Sequence, residues 1–174
     1  QREFEANKFI WNPDYFIDFS LIDWKKILMG ASGCTINTSY LTPVKDQFSC
    51  GSCWAFSAAA TWEHTYKKIF SSAVNHNLSE EDMVNCGKTC TGDDAGSCSG
   101  GHTFKAFDYI KCFKVATEAN YPYTATNAAC MAKPKTYGAY WHGQVGTNVS
   151  FPTTDQVKAA ITLYGAVTSY VFAS

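Results

Sequence analysis

The spacing of apolar residues predicts four helices. Residues 53–70 place small apolar side chains at helical intervals, and neither glycine nor proline interrupts the run. Glu63 falls on the same face, which indicates a helix packed tightly on several sides. The other helices are predicted from capping residues and from apolar positions about one turn apart. They run from Ser79 to Cys86, over residues 103–113, and from a cap at Thr153 and Gln156 to a terminating Gly165.

Strand signals come late in the chain, over residues 137–145 and 166–173. Helices followed by strands predict an α+β fold of two lobes, one helical and one mostly strand. Residues 1–22 are rich in aromatic side chains but follow neither pattern. We expect them to form an N-terminal extension that packs on the surface of the domain.

Composition narrows the class of protein. The 174 residues suit one domain or two small lobes with a shared core. A content of 46% hydrophobic and only 17% charged residues excludes a disordered chain. The formal net charge of −1 excludes a basic footprint for nucleic acid over the whole chain. No apolar run approaches the length of a membrane span.

Cysteine usage indicates the compartment. Eight cysteines are dense for a reduced cytosolic protein and favour oxidising surroundings. Three glycosylation sequons agree with passage through the secretory pathway. They begin at Asn37, Asn77 and Asn148.

Cys50 and Cys53 form a C-x-x-C pair that admits three chemistries. A dithiol redox site is one, although no strand–helix–strand unit surrounds the pair. A zinc site is another, with Cys86 and Cys90 as the second ligand pair, although oxidising conditions favour disulfides there. The third is a nucleophilic thiol at Cys53.

The nucleophile hypothesis rests on the surroundings of Cys53. The residue lies where a loop meets the predicted helix, and the positive end of the helix dipole stabilises a thiolate. Gly51 allows a substrate to approach the backbone closely. Gln47 could donate side-chain N–H groups to an oxyanion, together with the Cys53 backbone N–H.

These residues, QFSCGSCWAF over 47–56, resemble the nucleophile segment of the papain-like cysteine peptidases. The resemblance runs in order from about residue 19 to 174. It includes Asp23-Trp24-Lys25, residues 41–47 (LTPVKDQ), Leu78-Ser79-Glu80-Glu81, Cys98-Ser99-Gly100-Gly101, and residues 116–123 (ATEANYPY).

The resemblance implies a role for each matching residue. Cys53 would be the nucleophile and Gln47 the oxyanion donor. Four residues would bind substrate: Gly51, Gly100, Gly101 and Tyr170, the last near the floor of the pocket for the residue two before the cut. Cys50 would pair with Cys98, and Cys86 with Cys130. The family needs no metal and no organic cofactor.

A peptidase of this kind also needs a histidine base and a group that orients it, about 130–150 residues after the nucleophile. That places both beyond Ser174, and none of His64, His76, His102 and His142 lies where the family has its base. We therefore expect residues 23–174 to be a papain-like domain truncated before the His/Asn segment. Its helical left lobe would be complete and its strand-rich right lobe only partly present.

Several positions depart from the family pattern. Phe48 replaces the usual glycine after the oxyanion glutamine, Ala166 replaces a proline, and residues 27–41 resemble an insertion. Tyr170 is larger than the usual residue and would leave a shallow or blocked pocket. Three cysteines have no family partner, so that two could pair and one would remain: Cys34, Cys90 and Cys112.

Two functions follow. The first is a secreted, vacuolar or lysosomal peptidase that cleaves peptide bonds through a Cys thioester. Its partners would be a protein or peptide substrate, a pro-segment, an inhibitor protein or a second chain that carries the histidine, and neither nucleic acid nor a membrane. The alternative is a catalytically inactive papain-like module that acts in binding or assembly. The intact Cys53 and Gln47 favour the first, and Phe48, Tyr170 and the absent base favour the second.

Overall fold

The computed structural model describes residues 38–70, 73, 75–137, 157–158, 161–162 and 165–168. Its elements are a 3-10 helix Thr38–Tyr40, α1 Cys53–Phe70, α2 Glu80–Cys86, β1 Gly96–Ser97, β2 Gly100–Gly101, α3 Thr103–Phe113, β3 Val115–Ala116 and β4 Lys135–Tyr137. Strands β1 and β2 pair antiparallel, as do β3 and β4. The expected α+β class is confirmed.

Helix α1 is the centre of the described core. Its bounds are those predicted from the sequence, and it packs against both α2 and α3. Alanines at its buried face leave no side chain beyond Cβ, so the neighbouring helix can approach closely. The fully buried members of that face are Ala55, Ala58 and Ala59, flanked by Trp54 and Trp62.

Helix α2 begins with the predicted cap. The Ser79 hydroxyl accepts a hydrogen bond from the Asp82 backbone N–H at 3.0 Å, which satisfies a donor of the first turn. The Asp82 carboxylate does not complete the cap. It accepts instead from the Tyr109 hydroxyl at 2.9 Å and from the Ala116 N–H at 2.8 Å. Asp82 lies three positions after Ser79, where a capping-box side chain would stand, but its carboxylate instead links α3 and β3 to α2.

The third and fourth predicted helices are recovered to different extents. Helix α3 has the predicted bounds. Residues 157–158 and 161–162 are helical, and the Gly165 N–H donates to the Ile161 carbonyl at 2.8 Å with φ +96°. This is the positive φ expected of a terminating glycine. Thr153 and Gln156 lie outside the described residues.

The predicted order of helices before strands is wrong. Strands β1 and β2 precede α3, and β4 meets the predicted strand 137–145 only at Tyr137. Residues 166–168 belong to no strand, and the remainder of both predicted strands lies outside the described residues. The observed strands contain two or three residues each, which is too short for an alternating pattern to indicate them.

Three disulfides connect the described elements. Cys50 pairs with Cys98 and Cys86 with Cys130, the two pairs that the resemblance implies. Cys90 pairs with Cys112 and so joins two of the cysteines that had no family partner. Cys34 lies outside the described residues. None of the helices in the described ranges is long and apolar enough to cross a membrane.

Candidate active site

Cys53 is the first residue of α1, and its side chain is exposed. It is the one free cysteine among the described residues. The preceding residue, Ser52, is fully buried, and its carbonyl accepts from the N–H groups of Ala55 at 2.8 Å and Phe56 at 3.2 Å. The chain is therefore fixed on both sides of the thiol, which projects from the helix start.

The loop before α1 is held from within and from a second segment. The Gln47 side chain donates from Nε2 to the Cys50 carbonyl at 3.0 Å, and the Cys50 N–H donates back to the Gln47 carbonyl at 3.3 Å. The Gly51 N–H donates to the Cys98 carbonyl at 2.8 Å, beside the Cys50–Cys98 disulfide. An amide carries two N–H groups, and the second one on Gln47 bonds to no residue that the structure describes.

Tyr123 also holds this loop in place, through two hydrogen bonds of its hydroxyl. The sequence did not predict this role. Its hydroxyl donates to the Gln47 carbonyl at 3.0 Å and lies 2.6 Å from the Ser52 hydroxyl. A phenol has one proton, so Ser52 must be the donor in the second bond. The Tyr123 ring meets Phe56 edge to face at 4.9 Å, and burial raises the pKa of Tyr123. The signal available in the sequence was its place in the family-like segment 116–123.

Glycines near the loop are required by packing. A Cβ on Gly51 would lie 2.7 Å from the Cys98 carbonyl oxygen. A Cβ on Gly101 would lie 2.5 Å from the ring of Trp54, whose Nε1 donates to the Ser97 carbonyl at 3.1 Å. The neighbouring Gly100 faces open space. Internal contacts thus explain Gly51 and Gly101, and a φ of 119° explains Gly100, whose open side also leaves room for an approaching backbone.

The backbone of Phe48 explains why a glycine suits this position. Its φ is 50°, in the left-handed region that favours glycine. The Phe48 N–H donates to the Asp46 carboxylate at 2.7 Å, which holds the turn. The Phe48 side chain is 69% exposed, so its burial offsets little of the strain.

His64 lies far from the Cys53 thiol. His64 is buried on α1 eleven positions after Cys53, about 16 Å along the helix axis. Burial, and then the charges of Lys68 and Lys67, lower the pKa of His64. His102 is exposed at the start of α3.

Other predicted positions have mixed outcomes. His76 packs against Tyr66, with ring centroids 4.5 Å apart. Asn77 is exposed, as a glycosylation site requires. Outside the described residues lie Asn37, His142, Asn148 and Tyr170.

Disulfides argue against both alternative chemistries for the C-x-x-C pair, because each of them needs free thiols. Cys50 is bridged to Cys98, so Cys50 and Cys53 do not form a dithiol that could cycle. Cys86 and Cys90 are each bridged to a third residue, so neither supplies a thiolate to zinc.

Comparison with known proteins assigns the family. Residues 23–174 match the model of the papain family cysteine proteases, and the chain belongs to that family. A cathepsin L-like proteinase of Fasciola hepatica is 38% identical over 109 residues, which are 63% of this chain and 28% of that protein. A cathepsin L-like peptidase of Aedes aegypti is 35% identical over 156 residues, or 88% of this chain and 40% of that protein.

One solved structure also matches over part of its length. The digestive procathepsin L2 proteinase from Tenebrio molitor larval midgut matches with a TM-score of 0.52 and 33% identity. The match covers 61% of this chain and 32% of that one. The chain therefore spans less than half the length of the relatives that it matches.

Proposed function

We propose that this protein is a cysteine-type peptidase in which Cys53 is the nucleophile. The supporting observation is an exposed, unpaired thiol at the start of α1, directly after a loop that holds Gln47 in place. The Cys53 sulfur would attack the carbonyl carbon of the scissile peptide bond and form a thioester as the amine leaves. The Gln47 amide and the Cys53 backbone N–H would stabilise the oxyanion.

We also propose that the general base comes from outside the described residues, on a further segment of the protein or on a second chain. The Cys53 thiol has no hydrogen bond to a described histidine, and His64 is on a distant turn of α1. An imidazole is needed to hold the thiolate and to protonate the leaving amine. Residues 23–174 would then be part of a catalytic domain, with residues 1–22 as an extension.

The substrate would be a protein or peptide that lies along the cleft in an extended form. Gly100 supports this because its open side allows another backbone to approach. Tyr170 would restrict the pocket for the residue two before the cut. A pro-segment or inhibitor protein would occupy the same cleft. Neither a metal nor an organic cofactor is needed for this chemistry.

An oxidising, secretory location suits the protein, in a lysosome, a vacuole or the extracellular space. Three disulfides within the described residues support it. The exposed Asn77 supports glycosylation there, and Asn37 and Asn148 are the further candidates.

The deciding experiment is labelling of the full natural protein with an epoxysuccinyl peptide, followed by mapping of the label by mass spectrometry. We expect one label, at Cys53, because the reagent needs both a cleft and an activated thiolate. Cys53→Ala is the matched control and should take up none. If folded protein stays unlabelled where a papain-like control enzyme reacts, the inactive binding module replaces the peptidase as the best account.

A further inference from the structure

Strands β1 and β2 form a small hairpin beside the nucleophile loop, residues 47–52. The strands share two residue pairs and are joined by a two-residue turn, Cys98 and Ser99. β1 pairs with one edge of β2, and no other strand among the described residues pairs with its second, outer edge. A hairpin of this size is at best marginally stable by itself in water, so contacts from other segments must hold it in place.

The turn of the hairpin is held at Cys98, from two directions. The nucleophile loop holds one side, because the Gly51 N–H donates to the Cys98 carbonyl at 2.8 Å and Cys50 is bridged to the Cys98 sulfur. On the other side, the Cys98 N–H donates to Asn127 Oδ1 at 2.8 Å. A backbone N–H can only donate, so the oxygen of the Asn127 amide must face it. This contact comes from a segment 29 positions later in the chain.

Asn127 itself lies between two anchors on helix α2. The N–H of the next residue, Ala128, donates to Asn85 Oδ1 at 2.8 Å. Three positions before Asn127, the Thr124 hydroxyl donates to Glu81 Oε1 at 2.7 Å. Both acceptors belong to α2, so the backbone around Asn127 is fixed to that helix. The Asn127 side chain therefore connects the turn of the hairpin to α2, independently of the nucleophile loop.

On the basis of the peptidase function proposed above, we propose that Asn127 is a positioning residue. By fixing the turn, it sets where the outer edge of β2 meets an extended substrate. A peptide that adds there as a strand needs its hydrogen-bonding groups aligned with those of β2, and Gly100 leaves open space on its approach. Asn127 is exposed and contributes little to the core, so its loss should move the edge without unfolding the domain.

The expected signature is a dependence on the length of the substrate. The p-nitrophenyl ester of acetyl-Ala-Ala-Ala can lie along β2, whereas p-nitrophenyl acetate has no peptide group to place there. In the full natural protein, Asn127→Ala should raise KM for the tripeptide ester about threefold to tenfold, with kcat unchanged, because one net hydrogen bond is lost from substrate placement. Its kcat/KM for p-nitrophenyl acetate should stay the same.

Three further variants make this test specific. Asn127→Asp is the rescue variant and should restore KM, because a carboxylate keeps an acceptor for the Cys98 N–H. Asn120→Ala is the matched control at another exposed asparagine and should have no effect. Cys53→Ala gives the background hydrolysis that is subtracted from each rate. Thermal melting verifies that every variant is folded.

Amide hydrogen exchange of residues 98–101 tests the contact without turnover. Exchange there should become about threefold to tenfold faster in Asn127→Ala and return to the original rate in Asn127→Asp. Unchanged exchange in Asn127→Ala overturns the proposal, and so does an equal loss of activity on both esters. In either case the peptidase function stands. If the unaltered protein cleaves neither ester above the Cys53→Ala background, the peptidase function has failed and the positioning role fails with it.

Discussion

At the scale of single residues, two neighbours in the loop before α1 contribute different things: Gln47 has a hydrogen-bonding amide, and Phe48 has an unusual backbone angle. The Gln47 amide has one N–H bonded to the Cys50 carbonyl and a second that meets no partner within the described ranges. Phe48, the next residue, keeps a left-handed backbone without being glycine. A substitution at Gln47 therefore tests catalysis, and a substitution at Phe48 tests stability.

Gln47→Ala should lower kcat for a peptide substrate by about 10²–10³-fold, because one oxyanion donor is lost. The rate of epoxysuccinyl labelling at Cys53 should fall much less, since opening of an epoxide creates no tetrahedral carbonyl oxyanion. Steady-state kinetics and timed labelling of the same preparation measure the two effects. Equal losses in both rates would mean that Gln47 positions the loop and does not stabilise the oxyanion.

Phe48→Gly should raise the free energy of unfolding by up to about 1 kcal/mol, because relief of left-handed strain exceeds the added entropy of glycine in the unfolded chain. Phe48→Ala is the matched control, since it removes the exposed ring but retains the strain. Urea denaturation of both variants gives the comparison. Equal stability of the two variants would count against strain at this position.

At the scale of elements, the helices were predicted well and the strands poorly. Helices α1 and α3 have enough turns for apolar periodicity to show, and Ser79 gave the start of α2 a chemical signal. Strands β1 and β2 contain two residues each and owe their place to glycines that fit against Trp54. Such fits depend on contacts between distant segments, which no local pattern carries.

The same limit applies to the site. Cys53 and Gln47 could be proposed from their spacing and from resemblance to a family. Tyr123 could not, because its value is a hydroxyl that meets two atoms more than 70 positions earlier in the chain. The sequence likewise could not show that Cys90 pairs with Cys112, because this depends on α3 lying beside the loop after α2.

That third disulfide should stabilise the link between α3 and the loop after α2. It closes a separation of 22 residues, for which the chain-entropy model gives about 3 kcal/mol. The double variant Cys90→Ser/Cys112→Ser should lose about that much in denaturant unfolding. Labelling at Cys53 should persist, because the bridge lies outside the nucleophile loop. A loss of only a few tenths of a kcal/mol would refute a stabilising role.

At the scale of the whole molecule, two buried ionisable groups act on stability in opposite directions. Glu80 lies in a cluster with Lys45 and Glu63 that joins the segment before α1 to α1 and α2. His64 lies on another part of α1, where its ring meets Tyr40 edge to face at 5.8 Å. The pH profile of unfolding should therefore have a separate contribution from each.

For Glu80, the folded pKa of about 7 exceeds the unfolded value of 4.5, because burial disfavours the charged form. The folded state thus binds more protons, and this group's stability contribution falls as the pH rises from about 4.5 to about 7, by up to about 3 kcal/mol. Glu80→Gln should remove that slope from urea unfolding curves taken across this range. Asp94→Asn should retain it, and an unchanged slope in Glu80→Gln would contradict the assignment.

For His64, burial and the charges of Lys68 and Lys67 lower the folded pKa below 6.5. The unfolded chain binds the proton more readily, so this contribution is complete above pH 6.5 and is lost as the pH falls below it. Neither ring nitrogen has a hydrogen-bond partner among the described residues. His64→Leu should therefore cost little at pH 8 and should flatten the acid side of the profile. A loss of several kcal/mol at pH 8 would show that the imidazole makes a bond of its own.

The Cys50–Cys98 bridge also decides how the protein responds to oxidants. A peroxide would convert an activated Cys53 thiolate to a sulfenic acid, and recovery starts when a neighbouring thiol condenses with it. Cys50, three positions away, is already committed to Cys98 and cannot act as that resolving thiol. No other free thiol remains among the described residues, so an oxidised Cys53 depends on a thiol from outside them, such as a small reductant. Without one, further oxidation would make the inactivation irreversible.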